Sequence, residues 1–152
     1  MKKVLVCCSS FYPAYKSGGP VRSLCNLIDV LGDSVMFDVL TSDRDMGDPD
    51  PFEYIVTNSW DNCYKEARVF YISPWYHSLL SVSKIFSEKR YDILYLNSFF
   101  DFKYSIRFLF LAILGRLKTR NIILAPRGEL TLGAMSLKPF KKNTEHKLQA
   151  MP

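Results

Sequence analysis

Five apolar runs of strand length, at 3–8, 34–41, 68–72, 91–96 and 121–125, alternate with segments of helical periodicity, which leaves the chain very few architectures. The first run leads through a loop into Val21, Leu24, Cys25, Ile28 and Leu31, spaced as one face of a helix. Gly32 follows where a left-handed C-terminal residue closes helices, and Val35, Phe37, Val39 and Thr41 then alternate as a strand does. After a polar loop at 43–51, the pattern predicts a strand at 68–72, a helix at 74–89, a strand at 91–96, a largely apolar helix at 104–117 and a buried strand at 121–125. Alternation of this kind predicts an α/β fold, a Rossmann-like parallel sheet with helices on both faces. A chain of 152 residues is one domain of ordinary size.

Ligands of such sheets sit beyond the carboxyl ends of the strands, so the loops there carry the functional expectations. The loop at 9–19 exceeds the roughly 2–6 residues usual for a strand-to-helix connection. Gly18 and Gly19 allow a ligand to approach the backbone, and Pro20 suits the start of a helix, whose free amides attract an anion. Arg22 falls in the first helical turn, where a cation opposes the helix dipole by roughly 0.3–1 kcal/mol unless an anion shares the site. Two readings stay open from these residues alone: a phosphate or carboxylate site, or a plain turn with a solvated arginine.

Charge and cysteine usage exclude several classes. A net charge of +5 suits an anionic partner such as a nucleotide, an acidic membrane surface or nucleic acid, without choosing among them. No RNP, helix-turn-helix or zinc-finger signature appears, so no nucleic-acid partner is expected. Cys7, Cys8, Cys25 and Cys63 form no CxxC pair and no disulfide framework, which predicts reduced thiols in a cytoplasmic protein. The apolar start at 4–8 is too short for a signal sequence, and the run at 108–114 is far below the roughly 18 residues of a membrane span.

Three segments, YPAYKSGGPVRSLCNL, LTSDRDMGDPDPF and LAPRGELTLGAMSLKPFKK, occur in the order of the N-terminal half of GT4-type glycosyltransferases, which the chain resembles over 1–142. The resemblance implies the N-terminal, acceptor-side Rossmann-like domain of a retaining enzyme of GT-B fold, acting on a nucleotide-sugar donor and a saccharide or lipid-linked acceptor. It implies no cofactor and no metal. It places Gly18 and Gly19 near the donor phosphates, with Arg22 added from the dipole argument, and puts Arg127 and Gly128 at the cleft between two domains. Asn97 and Ser98 stand where many members carry a histidine, so the resemblance assigns no catalytic residue. Residues 143–152 depart from the pattern as a divergent tail. The C-terminal donor-binding domain is expected to be absent, leaving this chain without turnover of its own.

Other constellations carry less. Asp43, Asp45 and Asp48 resemble half of a calcium loop, but its closing acid would fall at Tyr54, so no metal is expected; the resemblance makes Asp43 and Asp45 part of an acceptor-side loop, against the alternative of a solvated acidic turn. His77 and His146 assemble no zinc site or nucleophilic triad. Tyr12 and Tyr15, in the long polar loop, are better placed than Trp60 and Trp75 to stack on a sugar ring. Lys138, Lys141, Lys142 and Lys147 beside Phe140 form a basic tail suited to peripheral contact with acidic lipid. A domain built to face another also predicts self-association through its exposed cleft face. The competing function is a standalone Rossmann-type module that binds a nucleotide or a protein without catalysis.

Overall fold

The computed structural model describes residues 1–130 apart from His77, Ser87 and the side chain of Leu79. In chain order the elements are β1 (Lys2–Cys7), α1 (Gly19–Leu31), β2 (Val35–Ser42), β3 (Trp60–Tyr64), β4 (Ala67–Ile72), α2 (Leu79–Phe86), β5 (Arg90–Leu96), α3 (Arg107–Ile113) and β6 (Lys118–Leu124). They build a Rossmann-like α/β domain around one six-stranded sheet of order β3-β4-β2-β1-β5-β6. Every neighbouring pair is parallel except β3 and β4. The chain leaves β1 for β2 on one side and later returns to pair β5 on the other, so the strand order reverses between β1 and β5.

Both faces of the sheet are covered along its central strands β1, β2 and β4, which is why buried residues run consecutively along them instead of alternating. Val4 and Val6 of β1 pack with Leu24 and Ile28 of α1, Val39 of β2 and Val69 of β4. Leu5 and Cys7, one residue out of phase, pack on the other face with Val82 and Phe86 of α2 and Phe108 and Leu111 of α3. Burial of each such side chain contributes roughly 1.5–3 kcal/mol.

On this second face the sheet also buries a charge. Asp38 of β2 accepts from Arg68 Nε at 2.9 Å and Nη2 at 2.8 Å, from Tyr91 Oη at 2.6 Å and from Lys89 Nζ at 3.4 Å. The Trp60 ring roofs the group, with Lys89 Nζ 3.5 Å and Arg68 Cζ 5.4 Å from its centroid. Burial pushes the Lys89 ammonium below its usual value against the attraction of Asp38. Burial first, then the bond to Asp38, raises the Tyr91 hydroxyl well above its ordinary value.

Several expectations are corrected. The strand β3 was not expected, because WDNCY has no apolar run; it is an antiparallel edge held by Trp60 against Phe70, ring centroids 5.4 Å apart. The single helix expected at 74–89 is a 3₁₀ turn, Pro74–Tyr76, followed by the separate α2. The helix expected at 104–117 opens as a π-helical turn, Phe102–Ile106, where the Ser105 and Ile106 amides share the Asp101 carbonyl and the Asp101 side chain caps Tyr104 N–H. It ends at Leu114, where Gly115 takes φ 69°. Gly32 is not left-handed, with φ −57°. Its missing side chain answers space: a Cβ there would lie 2.9 Å from Ile28 O and 3.1 Å from Glu66 Cβ. The last strand, expected to be buried, is exposed along most of its length.

Candidate functional site

The strand order reverses between β1 and β5, which stay paired to their carboxyl ends, Cys7 beside Leu96 and Asn97 N–H donating to the Cys7 carbonyl at 3.2 Å. The loops that follow lead to α1 on one face and toward α3 on the other, and the space between such diverging loops is the crevice where ligands of this fold class bind. The long loop after β1 forms one wall and is tied at many points. Phe11 is fully buried in the core, and the Tyr71 hydroxyl donates to the Tyr12 carbonyl at 2.5 Å. Tyr15 and Lys16 N–H donate to Asp45 Oδ2 at 2.9 and 3.2 Å, Lys16 Nζ pairs with Asp48, and Ser17 Oγ donates to Ser10 Oγ at 2.8 Å. The extra length of this loop therefore serves a fixed scaffold that presents Gly18 and Gly19 at its rim.

Gly18 needs its glycine, with φ 60°. Gly19 has ordinary φ, and a Cβ on either glycine would meet nothing within 4 Å. No side chain caps α1 and no acid stands in its first turn. Arg22 is exposed on that turn, its own N–H bonded to Gly18 O at 3.2 Å.

The opposite wall combines the β5 end with the segment after β6. Arg127 Nε donates to Asn97 Oδ1 at 2.6 Å, Nη1 to Ser23 Oγ at 2.6 Å and Nη2 to Tyr95 Oη at 3.0 Å. One guanidinium thus joins β5, the start of α1 and the segment after β6 across the reversal point. Arg127 itself takes a left-handed φ of 50°, unusual for a residue with a side chain, and Gly128 follows at φ 79°, where glycine carries no penalty. Glu129 completes the wall, accepting from Ser98 Oγ at 2.8 Å and from Phe99 and Phe100 N–H at 2.6 and 3.3 Å.

Beside this crevice lies a cavity of about 440 Å³ at the ends of β1, β2 and β4, whose lining includes Ser10, Ser17, Arg44, Asp45 and Lys103. Serine hydroxyls and charges of both signs line it, with Ser17 bonded to Ser10, Arg44 to Asp43 and Asp45 to three backbone amides. A serine hydroxyl nearby, Ser105 Oγ, is buried with no partner in the π-helical turn. Such turns recur at functional sites.

Of the expected site residues, the structure joins Arg127 to Asn97 directly and to α1 through Ser23, the residue after Arg22, and ties Ser98 to Glu129, while Gly18 and Gly19 stand at the amino end of the same helix and Gly128 is exposed. Asn97 and Ser98 hold Arg127 and Glu129, which makes them positioning groups. Tyr15 is 76% exposed and free to meet a ligand, whereas Tyr12 leans on the Tyr64 ring at 5.2 Å. Asp43 does not line the cavity: it is 1% exposed and paired with Arg44 at 2.8 Å. Asp45 reaches the cavity wall, but its oxygens are taken by the amides of Tyr15, Lys16 and Met46. Ser23, Tyr95 and Glu129 were not expected; only Glu129, next to PRG in the sequence, carried a positional hint. Trp60 is structural, and Trp75 is exposed, next in the chain to Pro74 of the cavity lining. His77, His146 and the basic tail at 138–147 lie outside the described residues. Among the described residues no group of three or more His, Cys, Asp or Glu side chains could hold a metal, and no helix is long and apolar enough to cross a membrane. The four thiols are free; burial pushes Cys8 up to about 12 and Cys7 well above the usual range, so neither supplies a thiolate.

Burial opposes ionisation of Asp45, yet the Tyr15, Met46 and Lys16 amides outweigh it and hold the carboxyl below its usual value. A depressed folded value stabilises the protein above the unfolded carboxyl pKa, near 4, and that gain is lost as pH falls through the folded value. Urea unfolding of wild type and Asp45→Asn is therefore expected to differ most at neutral pH and to converge once the pH falls below the depressed carboxyl value.

No protein-family model, curated protein or solved structure is significantly similar to the chain.

Proposed function

We propose that the chain is the acceptor-side domain of a retaining glycosyltransferase that uses a nucleotide-sugar donor. The observation that carries the reading is the Arg127 bridge beside the uncapped start of α1. The Arg127 guanidinium reaches Ser23 in the first turns of α1, the helix whose start carries Gly19 and the exposed Arg22, at the point of the sheet where ligands of this fold class bind. A departing diphosphate gains negative charge, and preorganised amides and guanidinium groups stabilise it without a metal. The hydroxyl-rich cavity alongside provides for a saccharide acceptor, with Tyr15 at its approach. The segments that resemble GT4-type enzymes contribute to the loops of this site: 12–27 holds Gly18 and Gly19, 40–52 holds Asp45, and the described part of the third, 124–130, holds Arg127. In this reading the donor nucleotide is held mainly by a second domain.

Two-dimensional NMR of the chain titrated with pyrophosphate, a nucleoside diphosphate and simple saccharides tests the reading. The expected result is a weak, millimolar response to pyrophosphate centred on Gly18, Gly19, Ser23 and Gly128, little changed by adding the nucleoside. Micromolar binding that depends on the base would instead show a self-sufficient nucleotide module. No response at these amides would remove the anion site and the reading with it.

A further inference from the structure

We propose that the amino end of β5 and β6, together with the turn after α3, is a docking surface for an anionic phospholipid bilayer. Two neighbouring cavities, of about 520 and 410 Å³, open there, and the side chains lining them include Lys84, Arg90, Arg116, Lys118 and Arg120. The one carboxylate among the lining residues, Asp92, is already occupied by Lys3 N–H at 2.9 Å and by Arg120 at 4.0 Å. Arg90 and Lys118 are register partners on adjacent strands, which sets two exposed like charges side by side. That juxtaposition is unfavourable unless an anion shares it.

Apolar tips stand among these cations. Leu80, which lines the smaller cavity, is 76% exposed, and Ile113 and Leu114, directly before Gly115 and Arg116, are 70% and 57% exposed. The positive φ of Gly115 reverses the chain so that Leu117 enters the core while Ile113 and Leu114 stay outside. Aliphatic tips beside lysine and arginine match a bilayer surface, where the tips enter the acyl boundary and the cations meet phosphate. Nucleic acid would use the cations and leave the leucines and isoleucine in water. The surface lies at the opposite end of the sheet from the crevice, so its failure leaves the glycosyl-transfer reading untouched.

Co-sedimentation of the full chain with vesicles of phosphatidylserine and phosphatidylcholine, against pure phosphatidylcholine, tests the proposal. Binding is expected only with the acidic lipid and is expected to weaken with added salt. Arg116→Glu with Lys118→Glu is expected to weaken it about 30-fold or more. Leu80→Ser with Ile113→Ser, both at exposed positions that leave the circular dichroism spectrum unchanged, is expected to weaken it several-fold at constant charge. Wild-type binding by both double variants would assign any lipid contact to another part of the chain, such as the basic tail, and overturn the proposal. So would no vesicle binding by wild type, or binding to RNA that the serine variant does not alter.

Discussion

Asp38→Ala is expected to destabilise the domain by about 3 kcal/mol, the low end of the 3–5 kcal/mol typical when one partner of a buried ion pair is removed. The low end applies because the Arg68 side chain is 45% exposed and can turn to water. The Tyr91 hydroxyl has no such escape: its residue is buried, and its short bond to Asp38 has no replacement in an apolar face. Thermal unfolding should show a midpoint lower by roughly 6–12 °C for a chain of this size. Asp38→Asn should recover part of the loss, since an amide oxygen still accepts from Tyr91 while the cations stay uncompensated. A midpoint unchanged in Asp38→Ala would mean that the cluster is solvated and contributes no net stability.

Arg127→Ala is expected to remove both structure and binding from the crevice. Its three donated bonds hold Asn97, Ser23 and Tyr95, and hydrogen bonds to a charged group contribute about 1.5–3 kcal/mol each when considered singly. Because they share one exposed-edged side chain, a total loss near 2–3 kcal/mol is expected in denaturant unfolding. The pyrophosphate response at Gly18 and Gly19 should fall at least tenfold, about 1.4 kcal/mol. Arg127→Lys separates the two effects: it keeps the charge but not the three-way fork, so affinity should return further than stability. Equal loss in both variants would show that the group acts as a brace alone.

How much of this was legible beforehand follows from what each element is made of. The strands β1, β2, β4 and β5 announced themselves because burial on both faces demands unbroken apolar sequence. The strand β3 did not, since an edge strand with a polar middle is defined by its partner, and WDNCY has meaning only beside Phe70 and Val69. The interruption of the expected helix at 104–117 arises from Asp101, which lies outside the apolar pattern. Gly18 and Gly19 were readable as the turn into α1 because a glycine pair followed by proline suits a helix start. The contacts of Arg127 were not, for the guanidinium reaches residues 30 and 104 positions away. Asp45 misled for the same reason: an acid in a polar loop looks free until the amides of a distant loop are seen to claim it.

The two margins of the sheet differ in a way that bears on how the protein behaves at high concentration. At the β3 margin the strand is five residues long, and its ladder is interrupted by a register shift between Asp61 and Tyr64. Shortness and irregularity of that kind keep a foreign strand from adding on. The β6 margin has seven regular residues, no further strand beside it among the described residues, and Ile122, Ile123 and Leu124 standing half out of both faces. Lys118 and Arg120 guard only its first half. Recruitment of a foreign strand would begin at the carboxyl half, so a single lysine at position 122 or 123 is the place to improve solubility without touching the crevice.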